Sequence, residues 1–357
     1  MSDQELMRRA LQLAERGRGY VEPNPLVGAV IVREGAIVGE GWHPKYGQDH
    51  AEIVALKQAG ELAQGSTLYV TLEPCCHQGK TPPCTEAVIR AGIKRVVAAM
   101  ADPFAAVAGK GFQKLRETGI ETQSGLLEKE ARFLNRPYLK RLRTDKPYIH
   151  AKWAMSLDGK IATSTGESKW ITGEIARQKV HHYRGLMDGI ITGRGTLLSD
   201  DPLLTARPPG PRTPTRIVLS QGKTELPTNC QLLKSVQWAP VLLAVHQDYL
   251  FRHEAWRNAG AELLGYQSLE DFLKKLAERG MTNIWLEAGT SLLGSFLDSR
   301  EIDEVHCFIA PRIIGGKHAH GPISGIGIAH LPEAMKCDKT TSELLGEDFY
   351  IRGWMDS

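Results

Sequence analysis

His50-Ala51-Glu52, followed by Thr71-Leu72-Glu73-Pro74-Cys75-Cys76-His77-Gln78-Gly79-Lys80-Thr81-Pro82-Pro83-Cys84, are the stretches from which the first half of this chain is read. His50–Ala59 has the pattern of a short helix stopped by Gly60, Thr67–Leu72 of a strand, and Cys84–Ala91 of a second helix ended by Gly92. A histidine at one helix start, a cysteine after a strand and a cysteine at the next helix start supply three ligands. His50, Cys75 and Cys84 therefore suit one tetrahedral zinc ion with a fourth position left to water, which a catalytic zinc needs and a structural zinc lacks. Glu52 is not expected to be a ligand. Two residues past His50 it can accept a proton from that water and return it to a leaving group, provided His50 sits at the non-helical edge of the turn. A closed structural zinc is the competing reading, with Cys76 or His77 added to Cys75 and Cys84, but it leaves Glu52 without a task. His43 reads as a structural or substrate-contacting residue.

Outward from this centre the alternation of strands and helices continues. Leu6, Met7, Ala10, Leu11, Leu13 and Ala14 form one apolar stripe of an opening helix. Val27–Arg33 and Ala36–Trp42 flank the turn Glu34-Gly35 as a hairpin, Arg95–Met100 reads as a strand, and helices are expected near Lys110–Glu117 and Leu126–Leu134. Lys140–Pro147 is basic, ends in proline and reads as a linker, so two α/β domains are expected, 1–145 and 146–357. In the second, Tyr148–Ala154, Gly189–Gly193, Arg216–Leu219, Val241–Val245, Asn283–Glu287 and Glu304–Ala310 read as strands. Gly173–Met187 and Ser268–Arg279 are its clearest helices, and the proline-rich Thr205–Thr215 is a loop.

The chain has 357 residues, 42% hydrophobic and 24% charged, which fits two folded domains and excludes disorder as the main theme. A net charge of +3 is too small for an electrostatic nucleic-acid binder, so no nucleic-acid partner is expected. No apolar run approaches the ~20 residues that span a bilayer, and the N-terminus lacks a secretory core, so a cytoplasmic protein without membrane association is expected. Six cysteines in that compartment do not call for disulfides; Cys230, Cys307 and Cys337 read as small core residues.

His-x-Glu with a following Pro-Cys resembles the zinc deaminase signature, although eight residues separate Cys75 from Cys84. That spacing, with Pro23-Asn24-Pro25-Leu26-Val27-Gly28 and Gly41-Trp42-His43, resembles the deaminase half of the bifunctional riboflavin-biosynthesis deaminase/reductase family. The second half resembles the reductase part of the same family. The carrying residues are Lys152-Trp153-Ala154-Met155-Ser156-Leu157-Asp158-Gly159-Lys160, Ser168-Lys169-Trp170-Ile171-Thr172-Gly173, Gly193-Arg194-Gly195-Thr196 and Asp200-Asp201-Pro202-Leu203-Leu204. The resemblance implies a cytidine-deaminase-like α/β/α sandwich followed by a dihydrofolate-reductase-like α/β domain. It implies Zn2+ and NADPH as cofactors, a phosphorylated pyrimidine substrate, and a homo-oligomer, dimer or tetramer. Asn24 would help hold substrate near the zinc.

By itself the reductase half has no Gly-x-Gly-x-x-Gly between a strand and a helix, so a Rossmann site is not indicated. The turn Gly289-Thr290-Ser291 before an apolar helix offers backbone amides suited to a diphosphate, though ordinary helix capping looks the same. The resemblance implies that Gly289, Thr290, Ser291, Leu292, Leu293, Gly294 and Ser295 contact NADPH phosphates, with Ala154, Trp170, Thr196, Asp200 and Ser220 also on the cofactor. Ser168, Arg184, Leu204, Arg207 and Glu287 fall at substrate positions by the same resemblance. Arg184 and Arg207 suit a phosphate held through paired hydrogen bonds, against the alternative of solvated surface charges. Lys152 lies in an apolar strand, where an unpaired ammonium is costly, and is a candidate to orient or protonate the substrate. Rival readings are a nucleoside or RNA-base deaminase with an unrelated second domain, and a non-catalytic zinc scaffold.

Overall fold

Alternation of side chains along short β-branched strands builds the first sheet. β1 (Gly28–Arg33) and β2 (Ala36–Trp42) meet through Glu34 and Gly35, both at positive φ, 51° and 80°, as a two-residue hairpin turn requires. β3 (Thr67–Val70), β4 (Arg95–Ala98) and β5 (Glu121–Ser124) complete a five-stranded sheet in the order β2-β1-β3-β4-β5, antiparallel on both sides of β1 and parallel beyond β3. Ala29, Ile31, Leu68, Val70 and Val96 face Ala51, Ala55, Val88 and Leu115, whereas Val30, Tyr69 and Val97 face Leu6, Met7, Ala10 and Leu13. The strand period of two thus separates two apolar layers, each closed by helices. Gly39 and Gly41 bring the Ala51–Ala59 helix onto β2: a Cβ there would lie 2.3 Å from the Ala55 carbonyl oxygen and 2.4 Å from that of Ala51. That contact sets the height of His50 and Glu52 above the sheet.

The computed structural model describes residues 1–104 and 107–355. The chain forms two compact units, Met1–Asp145 and Lys146–Ser357. The expected linker Lys140–Pro147 is mostly helical, because a helix spans Arg136–Thr144 and ends at Asp145 in the left-handed region. Pro137 in its first turn costs no hydrogen bond, and Arg141 and Arg143 complement the negative end of the helix dipole. The basic composition marked a helix terminus. β5 was not foreseen either: its polar, half-exposed sequence Glu-Thr-Gln-Ser carries no alternation.

The second unit contains a nine-stranded sheet, β10-β9-β8-β7-β11-β6-β12-β14-β13. Its strands are β6 (Tyr148–Ser156), β7 (Gly189–Gly193), β8 (Thr215–Ser220), β9 (Val241–His246), β10 (Glu262–Tyr266), β11 (Asn283–Glu287), β12 (Glu304–Ala310), β13 (Cys337–Leu345) and β14 (Asp348–Met355). From β10 to β12 neighbours run parallel, and the terminal hairpin β13–β14 adds antiparallel to β12. Continuous apolar runs such as Val241–Val245 are buried on both faces, as parallel strands under two helical layers must be. Ser268 caps the Leu269–Glu278 helix by accepting from the Asp271 amide at 3.1 Å. Cys230 and Cys307 are buried and Cys337 is half-buried. No helix among the described residues is long and apolar enough to cross a membrane.

Candidate functional site

In the first unit, His50 is the N-cap of the Ala51–Ala59 helix, in an extended conformation (φ −73°, ψ 164°). This non-helical edge lets a histidine and a glutamate two residues apart serve one site. Cys84 opens the Cys84–Arg90 helix, and its amide donates to Cys75 Sγ at 3.3 Å. His50 Nδ1 lies 3.6 Å from Cys75 Sγ and 3.3 Å from Cys84 Sγ, and the three donor atoms lie within 4.8 Å of one another. A hydrogen bond from Cys84 and the nearby His50 hold Cys75 down to about 4 despite burial, while Cys84 is pushed well up by that bond and by burial. A divalent cation held here would favour both thiolates.

Glu52 is buried, 3% exposed, and is not among the three donors. Burial lifts its carboxyl to about 7, His50 pulling it down and Cys75 pushing it further up. Its Oε2 is buried without a hydrogen-bond partner, an acceptor left open. Donor chemistry and this orphaned oxygen both fit zinc with an open position. Neither Cys76 nor His77 joins the donor cluster among the described residues. His43 lies 3.2 Å through Nε2 from Asn24 Nδ2 and 3.0 Å through Nδ1 from the Asp49 carbonyl, so it orients Asn24. A cavity of about 320 Å³ covers the site, and Asn24, His43, Glu52, Lys80 and Arg141 line it. Thr81 Oγ1, 3.4 Å from His50 Nε2, was not foreseen; hydroxyls near a ligand's second nitrogen leave no mark in a single sequence.

In the second unit, Glu287 ends β11 beside Lys152 of β6. Arg184, last residue of the Glu174–Arg184 helix, grips both carboxylate oxygens at 2.8 to 3.0 Å, and Lys152 Nζ donates at 3.2 Å. Burial raises the Glu287 carboxyl, but the Arg184 and Lys152 charges overturn this and hold it down at about 2. Lys152 is therefore a paired cation. Arg184 is only 9% exposed, not a solvated charge, and its fork is committed to Glu287 with one nitrogen on the Thr205 carbonyl. Its paired hydrogen bonds go to a carboxylate 103 residues away. Arg207 is exposed at the surface beside it, bonded to Thr205 Oγ1, and carries the cationic face that remains.

The cofactor candidates gather at the carboxyl ends of the parallel strands, the ligand-binding edge of open α/β sheets. Ala154 lies near the end of β6 and Ser220 ends β8. Thr196 and Asp200 belong to the Arg194–Asp200 helix that follows β7, and Lys169 Nζ reaches the Asp200 carbonyl at 2.9 Å. Gly289 caps the Thr290–Asp298 helix so closely to Thr196 that a Cβ would lie 3.7 Å from its hydroxyl. The Leu293 amide already bonds the Gly289 carbonyl, so only the turn ahead of it offers free amides. Leu293 and Gly294, expected on the cofactor, are buried in the helix behind that turn. Ser295 also turns away, its hydroxyl donating to the Ser291 carbonyl at 3.0 Å. Trp170 is 64% exposed under Arg177, Ser168 is half-buried, and Leu204 is buried at positive φ.

Two family models match: the cytidine and deoxycytidylate deaminase zinc-binding region over residues 1–100, and the RibD C-terminal domain over 147–351. The riboflavin biosynthesis protein RibD of Actinobacillus pleuropneumoniae is 44% identical over 358 residues, covering 98% of this chain and 95% of that protein. That of Escherichia coli is 41% identical, covering 94% of each. Among solved structures, RibD of Acinetobacter baumannii superposes with a TM-score of 0.89 at 38% identity, covering 99% of both chains. A Thermotoga maritima diaminohydroxyphosphoribosylaminopyrimidine deaminase/5-amino-6-(5-phosphoribosylamino)uracil reductase gives 0.86 at 34%, covering 99% and 98%.

Proposed function

The chain belongs to the RibD family of bifunctional riboflavin-biosynthesis deaminase/reductases, and from that premise we propose which of its residues carry each half-reaction. The enzyme hydrolytically deaminates 2,5-diamino-6-(5-phosphoribosylamino)pyrimidin-4(3H)-one and then reduces the ribosyl group of the product to ribityl, using zinc and NADPH. Met1–Asp145 is assigned the first reaction and Lys146–Ser357 the second.

His50, Cys75 and Cys84 would hold the zinc ion, whose Lewis acidity would activate the water that attacks the amino-bearing carbon. Glu52 takes the proton of the attacking water and delivers it to the departing ammonia. A carboxyl poised near 7 exchanges protons in both directions at neutral pH, and its unpartnered Oε2 is free to do so. Asn24, steadied by His43, lines the same cavity and orients the pyrimidine. The observation that carries this reading is the convergence of one nitrogen and two sulfurs beside a buried carboxylate with an orphaned oxygen.

In the reductase half, NADPH supplies hydride to C1′. Thr290, Ser291 and the Gly289 turn present amides and hydroxyls to its phosphates, with Ala154, Trp170, Thr196, Asp200 and Ser220 along the same edge. Glu287, kept ionised by Arg184 and Lys152, accepts substrate hydroxyls, and Arg207 takes the phosphate, with Ser168 and Leu204 beside it. Lys152 is the group placed to protonate the opening sugar. A homo-oligomer, dimer or tetramer, and cytoplasmic residence belong to the same proposal; ligand thiols that must stay reduced suit that compartment. Glu52→Gln tests the first half: zinc stays and ammonia release is lost, and full activity in that variant removes Glu52 from the reaction.

A further inference from the structure

We propose that Trp285 is a positioning residue of the reductase site, its indole N–H fixing the Glu287 carboxylate while a buried clamp of His306, Tyr350 and Tyr183 fixes the indole. The inference rests on the reading of Glu287 as a substrate-contacting group and deepens it.

Glu287, Lys152 and His306 lie in one row across β11, β6 and β12, and Trp285, two residues before Glu287, shares their face of the sheet. Trp285 is fully buried and donates through Nε1 to Glu287 Oε2 at 3.2 Å. Of the three side chains that donate to this carboxylate, Arg184 and Lys152 reach it on long chains, whereas the indole is rigid and fixes Oε2.

What holds the indole is equally specific. Tyr183 stacks on it at 5.3 Å and 15°, and the His306 ring lies 4.6 Å away. The two clamping rings are tied to each other through Tyr350, whose hydroxyl lies 2.6 Å from His306 Nδ1 and 3.0 Å from the Tyr183 hydroxyl. Glu304, 3.0 Å from His306 Nε2, is an acceptor only, and the Tyr350 hydroxyl, which donates to the Tyr183 oxygen, lies against Nδ1 on the other side of the ring. Arg352 and Tyr148 hold Glu304 in turn. Burial pushes His306 down to about 4 although Glu304 pulls it up, so a neutral ring faces the indole at physiological pH.

His150, Glu304 and His306 also bring three potential ligands within 4.8 Å. A metal is the weaker account of them. Arg352 already neutralises Glu304. A divalent cation there would sit beside that half-buried guanidinium with no anion left over.

Steady-state kinetics on the zinc-loaded full chain test the proposal. Trp285→Phe keeps the ring and removes the N–H; the KM for the phosphoribosylaminouracil should rise about tenfold, as the loss of one such hydrogen bond predicts, with the NADPH KM and the deaminase rate unchanged. Tyr350→Phe, which unties the clamp but keeps its aromatic volume, should move the same KM in the same direction by about threefold, and it carries the test if Trp285→Phe misfolds. In a Glu287→Gln background Trp285→Phe should add nothing. Equal changes in both KM values, additive effects in the double variant, or a second equivalent of metal that His306→Asn removes would each overturn the proposal. If Glu287→Gln leaves the substrate KM unchanged, the site reading beneath it fails; if Glu287→Gln raises KM and Trp285→Phe does not, positioning alone fails.

Discussion

His50, Cys75 and Cys84 in one unit, and His150, Glu304 and His306 in the other, each gather three donor atoms within 4.8 Å. Their surroundings differ. Around the first, a buried carboxylate oxygen has no partner and a cavity of about 320 Å³ gives access. Around the second, Arg352 answers the only carboxylate, and all three groups are buried. Convergence of ligands is common to both; unsatisfied chemistry and an entrance belong to one. A metal centre is recognised by what its neighbours leave undone, and a polar core by what they complete.

The comparison can be broken most decisively at the thiols. Cys75→Ser with Cys84→Ser should lose stoichiometric zinc and all deaminase activity, whereas His150→Asn with His306→Asn should leave metal content unchanged; metal retained in the cysteine variant sinks the ligand assignment. Next in size is Glu52→Gln, for which a rate loss of about 10²- to 10⁴-fold at full zinc occupancy is expected, the usual worth of a general acid–base group. Arg184→Ala leaves Glu287 to Lys152 and Trp285 and should raise the substrate KM about tenfold or more, since one partner of a buried pair is removed. Arg207→Ala, at an exposed site, should raise it a few-fold at most, and NADPH KM values tracking either variant would mean that the arginines support the fold. The last effect is on stability rather than activity, through its pH dependence. His306 titrates at about 4, below the ordinary histidine value of 6.5, so acid must force a proton onto a buried neutral ring. Its contribution is whole above pH 6.5 and is lost as pH falls from 6.5 toward 4, worth up to about 3 kcal/mol. The melting temperature of His306→Phe should fall less steeply across that window; an unchanged slope assigns acid sensitivity to other groups.

Much of the fold was legible because its signals are local. The hairpin at Glu34-Gly35, the Lys110–Glu117 helix, the Ser268 cap and the strands Gly189–Gly193, Asn283–Glu287 and Glu304–Ala310 each announce themselves within about ten residues. Polar edge strands do not: β5 and β13 bury too little to show alternation. Lys140–Thr144 misled because basic residues suit a helix end and a solvated linker equally well. Trp285, His150 and His306 passed as ordinary strand residues, and their roles come only from neighbours on other strands.

From its residues alone the chain declared two α/β units, a nitrogen-and-sulfur ligand set and a glutamate beside it, since spacing and helix starts are properties of contiguous sequence. Folding decided the rest: that His50 stands outside its helix, that Arg184 spends its fork on Glu287 across 103 positions, and that Leu293 and Gly294 face inward. The physical reason is that pairing and burial depend on which strands lie side by side, and no short stretch of chain carries that information.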